Sequence, residues 1–160
     1  MENKKIKNAK SSTYQEIKFR SKSEERIYKK LLSLGFSPLY EPDTFILFQD
    51  FRPEKTYFYE GVPQVTKKGG NKALMSWKYT PDFRLDFGEY KMYIEVKGFA
   101  NDLWPYKRKL FLKLLDSYKN CYFFEVKTIR GLEKSLEAMK SIYNGNTNSN
   151  QDSKSDKISS

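Results

Sequence analysis

The chain has 160 residues, with 30 Lys plus Arg against 20 Asp plus Glu, no histidine and one cysteine. Without histidine the chain has no imidazole general base, no Ser–His or Cys–His nucleophile system and no imidazole metal ligand, and the single Cys121 excludes an internal disulfide and a thiolate zinc cage. Chemistry is left to carboxylates, lysines and tyrosines, any metal would be oxygen-bound as Mg²⁺ or Mn²⁺ is, and a net charge of +10 points to a polyanionic partner such as nucleic acid, with simple solubility as the plainer reading.

Residues 1–20 are polar and lysine-rich. Seven basic side chains, Lys4, Lys5, Lys7, Lys10, Lys18, Arg20 and Lys22, stand against Glu2 and Glu16 in the first 22 residues, half of the whole surplus. This stretch is expected to be a flexible basic arm or a solvated tail. Residues 22–34 are expected to be a helix. Ser21-Lys22-Ser23-Glu24 has the form of a capping box, Ile27, Tyr28, Leu31, Leu32 and Leu34 supply an apolar stripe, and Gly35 ends it. At 100° per residue the stripe centres within about 15° of Glu24 and about 110° from Glu25. Glu24 therefore faces the rest of the domain; its plain role is to cap the helix, and a first-turn acid can also reach a site.

Between 39 and 79 the stretches 45–51, 56–62 and 73–79 read as strands, with "KKGGNK" as a turn. Ala73, Met75, Trp77 and Tyr79 alternate as one buried face. A helix is expected over about 104–118, with Pro105 in its first turn and Tyr106, Leu110, Phe111, Leu114, Leu115 and Tyr118 inside. Residues 121–128 form a further strand, in which Cys121 is a core residue rather than a nucleophile. A last helix spans about 131–143, and the Asn/Ser/Asp/Lys-rich residues 144–160 read as a disordered polar tail. No signal peptide and no 18-residue apolar run appears, so a cytoplasmic location and no membrane contact are expected.

The most informative stretch is "TPDFRLDFGEYKMYIEVKG", residues 80–98. Gly88-Glu89 fits a two-residue type II′ turn, which sets the register of the strands on either side. Phe87 then faces Tyr90, Asp86 faces Lys91, Leu85 faces Met92, Arg84 faces Tyr93, Phe83 faces Ile94, and Asp82 faces Glu95. The apolar Phe83, Leu85, Phe87, Met92, Ile94 and Val96 share one face. Asp82, Arg84, Asp86, Glu95 and Lys97 share the other. Opposed like charges are unfavourable in a sheet, and a divalent cation between Asp82 and Glu95 would turn repulsion into coordination. Glu125-Val126-Lys127 is a second E-x-K, but no acid precedes it on a hairpin partner, so it reads as a strand with a wet face.

"TPDF" followed by "YIEVKGF", with "FRSKSEERIYKKLL" upstream, resembles the PD-(D/E)XK nuclease superfamily over about residues 19–128. Within it the chain is most similar to small phage endonucleases of the kind of phage endonuclease I and to Holliday-junction resolvases. The resemblance implies an α/β, single-domain restriction-endonuclease-like fold over 21–143, with a central mixed β-sheet flanked by helices. It implies divalent-metal-dependent hydrolysis of DNA phosphodiester bonds in a bacterial cell or phage-infected host. Asp82 and Glu95 would be metal ligands with the Val96 backbone carbonyl, Glu24 a further acid acting directly or through water, and Lys97 the base or electrostatic clamp for the attacking water. With no histidine, the cation must supply both the acidity of water and the stabilisation of charge at phosphorus. The helix after the motif carries Lys107, Arg108, Lys109 and Lys113, read as DNA-phosphate contacts, Lys107 and Lys109 foremost, or as a solvent face; Trp104 is read as a packing residue, with stacking on a base as the alternative. With no helix-turn-helix or zinc module visible, structure-selective cleavage of branched DNA or nonspecific cleavage is expected, and a homodimer would follow if the protein makes two symmetric cuts. The alternatives are a noncatalytic nucleic-acid-binding protein on the same scaffold, or a nuclease subunit of a recombination or transposition complex.

Overall fold

The computed structural model describes residues 10–54, 71–98 and 102–155, with side chains as far as residue 145. Among these residues the elements run β1 (Ser12–Tyr14), β2 (Ile17–Phe19), α1 (Lys22–Ser33), β3 (Leu39–Tyr40), β4 (Phe45–Phe48), β5 (Trp77–Tyr79), β6 (Phe83–Phe87), β7 (Tyr90–Val96), α2 (Trp104–Leu115), β8 (Cys121–Val126) and α3 (Ile129–Ser155). The expected strand at 56–62 and most of the "KKGGNK" turn lie outside the described residues, as do residues 1–9.

The expected basic arm over 1–20 gives way to structure from Ser12 onward. β1 and β2 pair antiparallel as a hairpin, with Ser12 opposite Phe19 and Tyr14 opposite Ile17. Its two-residue turn, Gln15-Glu16, has both residues at positive φ, 47° and 66°, the backbone of a type I′ turn without the glycine or asparagine that normally marks one. Phe19 is fully buried and stacks its ring near Tyr28, Tyr40 and Phe83, so burial of one aromatic holds the hairpin on the core despite the lysines around it.

α1 follows the expected helix closely. Ser21 caps it by accepting from the Glu24 N–H at 3.2 Å, and the Leu34 N–H closes the last turn on Lys30 and Leu31 carbonyls. Gly35, at φ +81°, takes the left-handed position after it.

Four strands make a mixed sheet in the order β3-β6-β7-β8, antiparallel across the first two pairs and parallel between β7 and β8. The β6–β7 register is the expected one at all five positions from Phe83–Ile94 to Phe87–Tyr90, and Gly88, alone of the two turn residues at positive φ (+60°), carries the type II′ bend. One sheet face, with Phe83, Leu85, Met92, Ile94 and Val96, packs on α1 and α3 residues such as Ile27, Leu31, Leu132 and Met139. The other face presents Tyr93, Cys121 and Phe123 to Trp104, Phe111 and Leu115 of α2 and to Phe45 and Tyr79. Helices therefore cover both faces of the sheet, which makes the architecture α/β.

β4 and β5 pair with one another as a two-stranded sheet of their own, with a bulge between Ile46 and Phe48. Three further expectations change. The alternating face at 73–79 holds only at its C-terminal end: Tyr79 is buried, whereas Met75 is 82% exposed, because only residues near the α2 core have something to pack against. α2 stops at Leu115 instead of 118, and α3 continues to Ser155, through residues expected to be a disordered tail. No proline interrupts that stretch, so backbone hydrogen bonding propagates a helix whose nucleus is paid for upstream by Leu132, Leu136 and Met139. Among the described residues no helix is long and apolar enough to cross a membrane.

Candidate active site

Just before the first paired residue of β6, Phe83, the chain bends at Pro81-Asp82. Asp82 Oδ2 there accepts the Val96 N–H at 2.7 Å, across the hairpin and one residue beyond Glu95. That bond puts the two acids side by side at the end of the β6–β7 ribbon. Both are nearly inaccessible, at 7% for Asp82 and 4% for Glu95. Burial, and then the neighbouring Glu95 charge, push the Asp82 carboxyl up to about 8. A pair of buried like charges of this kind is costly unless one member is protonated or a cation lies between them.

Glu95 is held at both oxygens. The Tyr79 hydroxyl donates to Oε2 at 2.7 Å, and Lys97 Nζ meets Oε1 at 2.5 Å. Burial and the Glu95 charge raise the Tyr79 phenol above its ordinary range, so it stays a donor. Lys97 also lies over the Trp104 ring, 4.3 Å from its centroid. The indole N–H of that Trp104 donates to Glu125 at 3.1 Å and the ring is 3% exposed, which fits the expected packing role. Tyr79 and Trp104 thus fix, from β5 and α2, the two groups that β7 presents.

Glu24 is the third acid on the same cleft, 6% exposed. Its Oε1 accepts from the Ser21 hydroxyl at 2.8 Å, while Oε2 accepts from the Arg20 N–H at 3.0 Å and from the Tyr40 hydroxyl at 2.8 Å. The capping acid is therefore also an anchor between α1 and β3, pointed toward the domain as its helical phase requires. Burial and the hydrogen bond to Glu24 raise the Tyr40 phenol. Glu41, at φ +47°, donates its backbone N–H to the Asp82 carbonyl at 2.9 Å and pairs with Arg20 at 2.8 Å, tying the Asp82 bend to the entry of α1.

The cleft over these acids holds about 340 Å³. Four cations line it: Arg20 before α1, Lys78 on β5, Lys97 just after β7 and Lys107 on α2. The expected row of contacts on α2 separates. Lys107 is half-buried on the cleft wall, and burial together with Lys97 lowers its pKa. Arg108 pairs with Glu125 at 3.0 Å. Lys109 and Lys113 are exposed, and at 100° per residue they project well away from the inner face of Trp104, Phe111 and Leu115, so the helix cannot aim all four at one phosphate.

Among the described residues no group of three or more His, Cys, Asp or Glu side chains is arranged to hold a metal ion. The side-chain donors next to one another are the Asp82 and Glu95 carboxylates, with Val96 beside them on the cleft wall. Their hard oxygens are of the type that Mg²⁺ takes when one or two carboxylates share it with water and substrate phosphate. The sequence reading missed Tyr79, Tyr40, Arg20 and Lys78 as parts of the site. The alternation ending at Tyr79 was the one signal that could have found a member of this set. Comparison of the chain with protein-family models, curated proteins and solved structures finds no match.

Proposed function

We propose that the protein is a divalent-metal-dependent DNA endonuclease of the PD-(D/E)XK kind, acting on branched DNA or without sequence preference. The observation that carries this reading is the pair of buried carboxylates, Asp82 and Glu95, joined by the Asp82–Val96 bond and flanked by Lys97 in a cleft lined by four cations. Asp82, Glu95 and the Val96 carbonyl would hold Mg²⁺ or Mn²⁺; the shared positive charge would offset the burial and the repulsion that raise Asp82. When bound, such a cation supplies Lewis-acid stabilisation of charge at phosphorus and makes water acidic enough to attack near neutral pH.

The protein's own groups set the geometry. Tyr79 fixes the plane of Glu95, Trp104 and Glu95 together hold the Lys97 ammonium, and the cationic cleft draws in the phosphodiester backbone. Lys97 orients the attacking water or stabilises the charge that develops on the phosphoryl oxygens. Glu24, with both oxygens committed, supports the wall and reaches a cation only through water.

The test is incubation of the purified protein with supercoiled, linear, single-stranded and four-way-junction DNA, with and without Mg²⁺ or Mn²⁺. Cation-dependent nicking is expected, with junctions cut in preference or all forms cut alike. No cleavage of any form under either cation rejects the reading. A second reading, a noncatalytic DNA-binding protein on this scaffold, draws on the lack of a three-acid metal group among the described residues. Tight binding to DNA without cleavage would favour it. Cleavage that appears only on adding a recombination or transposition partner would make the chain a subunit of such a complex.

A further inference from the structure

We infer that Lys107 grips the scissile phosphate itself, as a second active-site lysine on α2 that acts on the reacting group and not on the flanking DNA backbone. This rests on the nuclease reading above. The four cations of the cleft are not equivalent. Arg20 is paired with Glu41 and Lys97 with Glu95. Lys78 is exposed, so water solvates it. Lys107 is half-buried and makes no ion pair among the described residues, while its wall of the cleft is aromatic: Nζ lies 6.0 Å from the ring centroids of both Trp77 and Tyr79.

The arrangement is unfavourable in the free protein for three separate reasons. The ammonium has lost part of its water, and Lys97 repels it by more than Glu95 attracts it. It is also only the fourth residue of α2, near the end where the helix dipole disfavours a positive charge. Rings at the limit of cation–π range return little of this. An anion in the cleft relieves all three. The location says which anion: the Tyr79 ring beside Lys107 carries the hydroxyl that touches Glu95, and the cleft that Lys107 lines is floored by Asp82 and Glu95. A phosphodiester seated over those acids brings its non-bridging oxygens to Lys107. Lys97, already committed to Glu95, faces the same group from just beyond β7. The lysine therefore strengthens its hold as negative charge builds on the phosphoryl oxygens in the transition state.

The experiment separates rate from binding. Single-turnover cleavage of one DNA substrate at saturating protein is compared for the wild type, Lys107→Ala, Lys107→Arg and, as a control on the far helix α3, Lys134→Ala. Affinity for the same DNA is measured in EDTA. Lys107→Ala should lower the saturated rate about 100-fold while weakening binding less than about threefold. Lys107→Arg should recover about tenfold of the loss, and Lys134→Ala should match the wild type. Lys107→Met should raise the melting temperature of the DNA-free protein, where a merely structural lysine would lower it. If the wild type cuts DNA and Lys107→Ala cuts at the same saturated rate, or loses binding as much as rate, this assignment is wrong and the nuclease reading stands. If the wild type cuts nothing, both fall.

Discussion

Two copies of the same tripeptide lie side by side in this protein. Glu95-Val96 ends β7 with Lys97 just beyond it, and Glu125-Val126 ends β8 with Lys127 just beyond it; the strands are parallel and in register, Glu95 beside Glu125 and Val96 beside Val126. The residues are the same and the strands paired in register, yet the surroundings differ completely. β7 is an inner strand, and its far neighbour β6 delivers Asp82, while β5 delivers Tyr79. Among the described residues β8 is the sheet edge, and what meets Glu125 is the Trp104 indole and the Arg108 guanidinium of α2. Lys127 points to solvent. One copy is a strained pair of acids with a lysine; the other is a satisfied acid that holds a helix. The chemistry of an E-x-K thus resides in what the neighbouring strand and helix bring to it.

Removing the acids should break this contrast most sharply. Asp82→Ala or Glu95→Ala is expected to lower DNA cleavage by about 10³-fold or more, the worth of a metal site, with binding to DNA in EDTA retained; Glu125→Ala should stay within a few fold of the wild type in the same assay. Full cleavage by either of the first two variants would reject the site. The lysines come next. Lys97→Ala should cost about 10²–10³-fold in rate, and Lys127→Ala nothing measurable.

The third expectation concerns stability without metal. Asp82 is raised from an unfolded value of about 3.9 to about 8 in the fold, so the native state binds the extra proton. Its contribution is complete below about pH 4 and is lost as pH rises toward 8. The melting temperature in EDTA should therefore fall across that window. Asp82→Asn should flatten the slope, and added Mg²⁺ should reverse it. A flat wild-type profile in EDTA would show that neither burial nor the Glu95 charge raises Asp82. The smallest effect is that of Tyr79→Phe, which removes one hydrogen bond to a carboxylate and should cost about 1–2 kcal/mol of stability, read by urea denaturation, with about a tenfold loss of rate. No such loss would mean that Glu95 is oriented by Lys97 alone.

The site was legible where local rules are strict. A two-residue Gly-Glu reversal allows one register, and that register places Asp82 by Glu95. A capping box together with 3.6-residue periodicity turns Glu24 inward. What escaped sequence reasoning depended on burial that only tertiary packing decides. Phe19 pulls Ser12–Phe19 out of a lysine-rich stretch into a hairpin whose Gln15-Glu16 turn has none of the usual turn residues. Tyr79 gains its role from α2, more than twenty residues downstream. The basic residues of α2 were grouped by proximity along the chain, although the helix turns Lys107 inward to the cleft and leaves Lys109 and Lys113 outside. α3 runs on through a polar sequence that composition alone assigns to disorder.

The bond from the Val96 N–H to Asp82 makes one amide proton an internal witness of the site. Its NMR frequency and its exchange with deuterium should follow the ionisation of that single carboxyl, and should shift again when a cation or a phosphodiester arrives. The proposed occupancy of the site can therefore be tested by spectroscopy, independently of any cleavage assay.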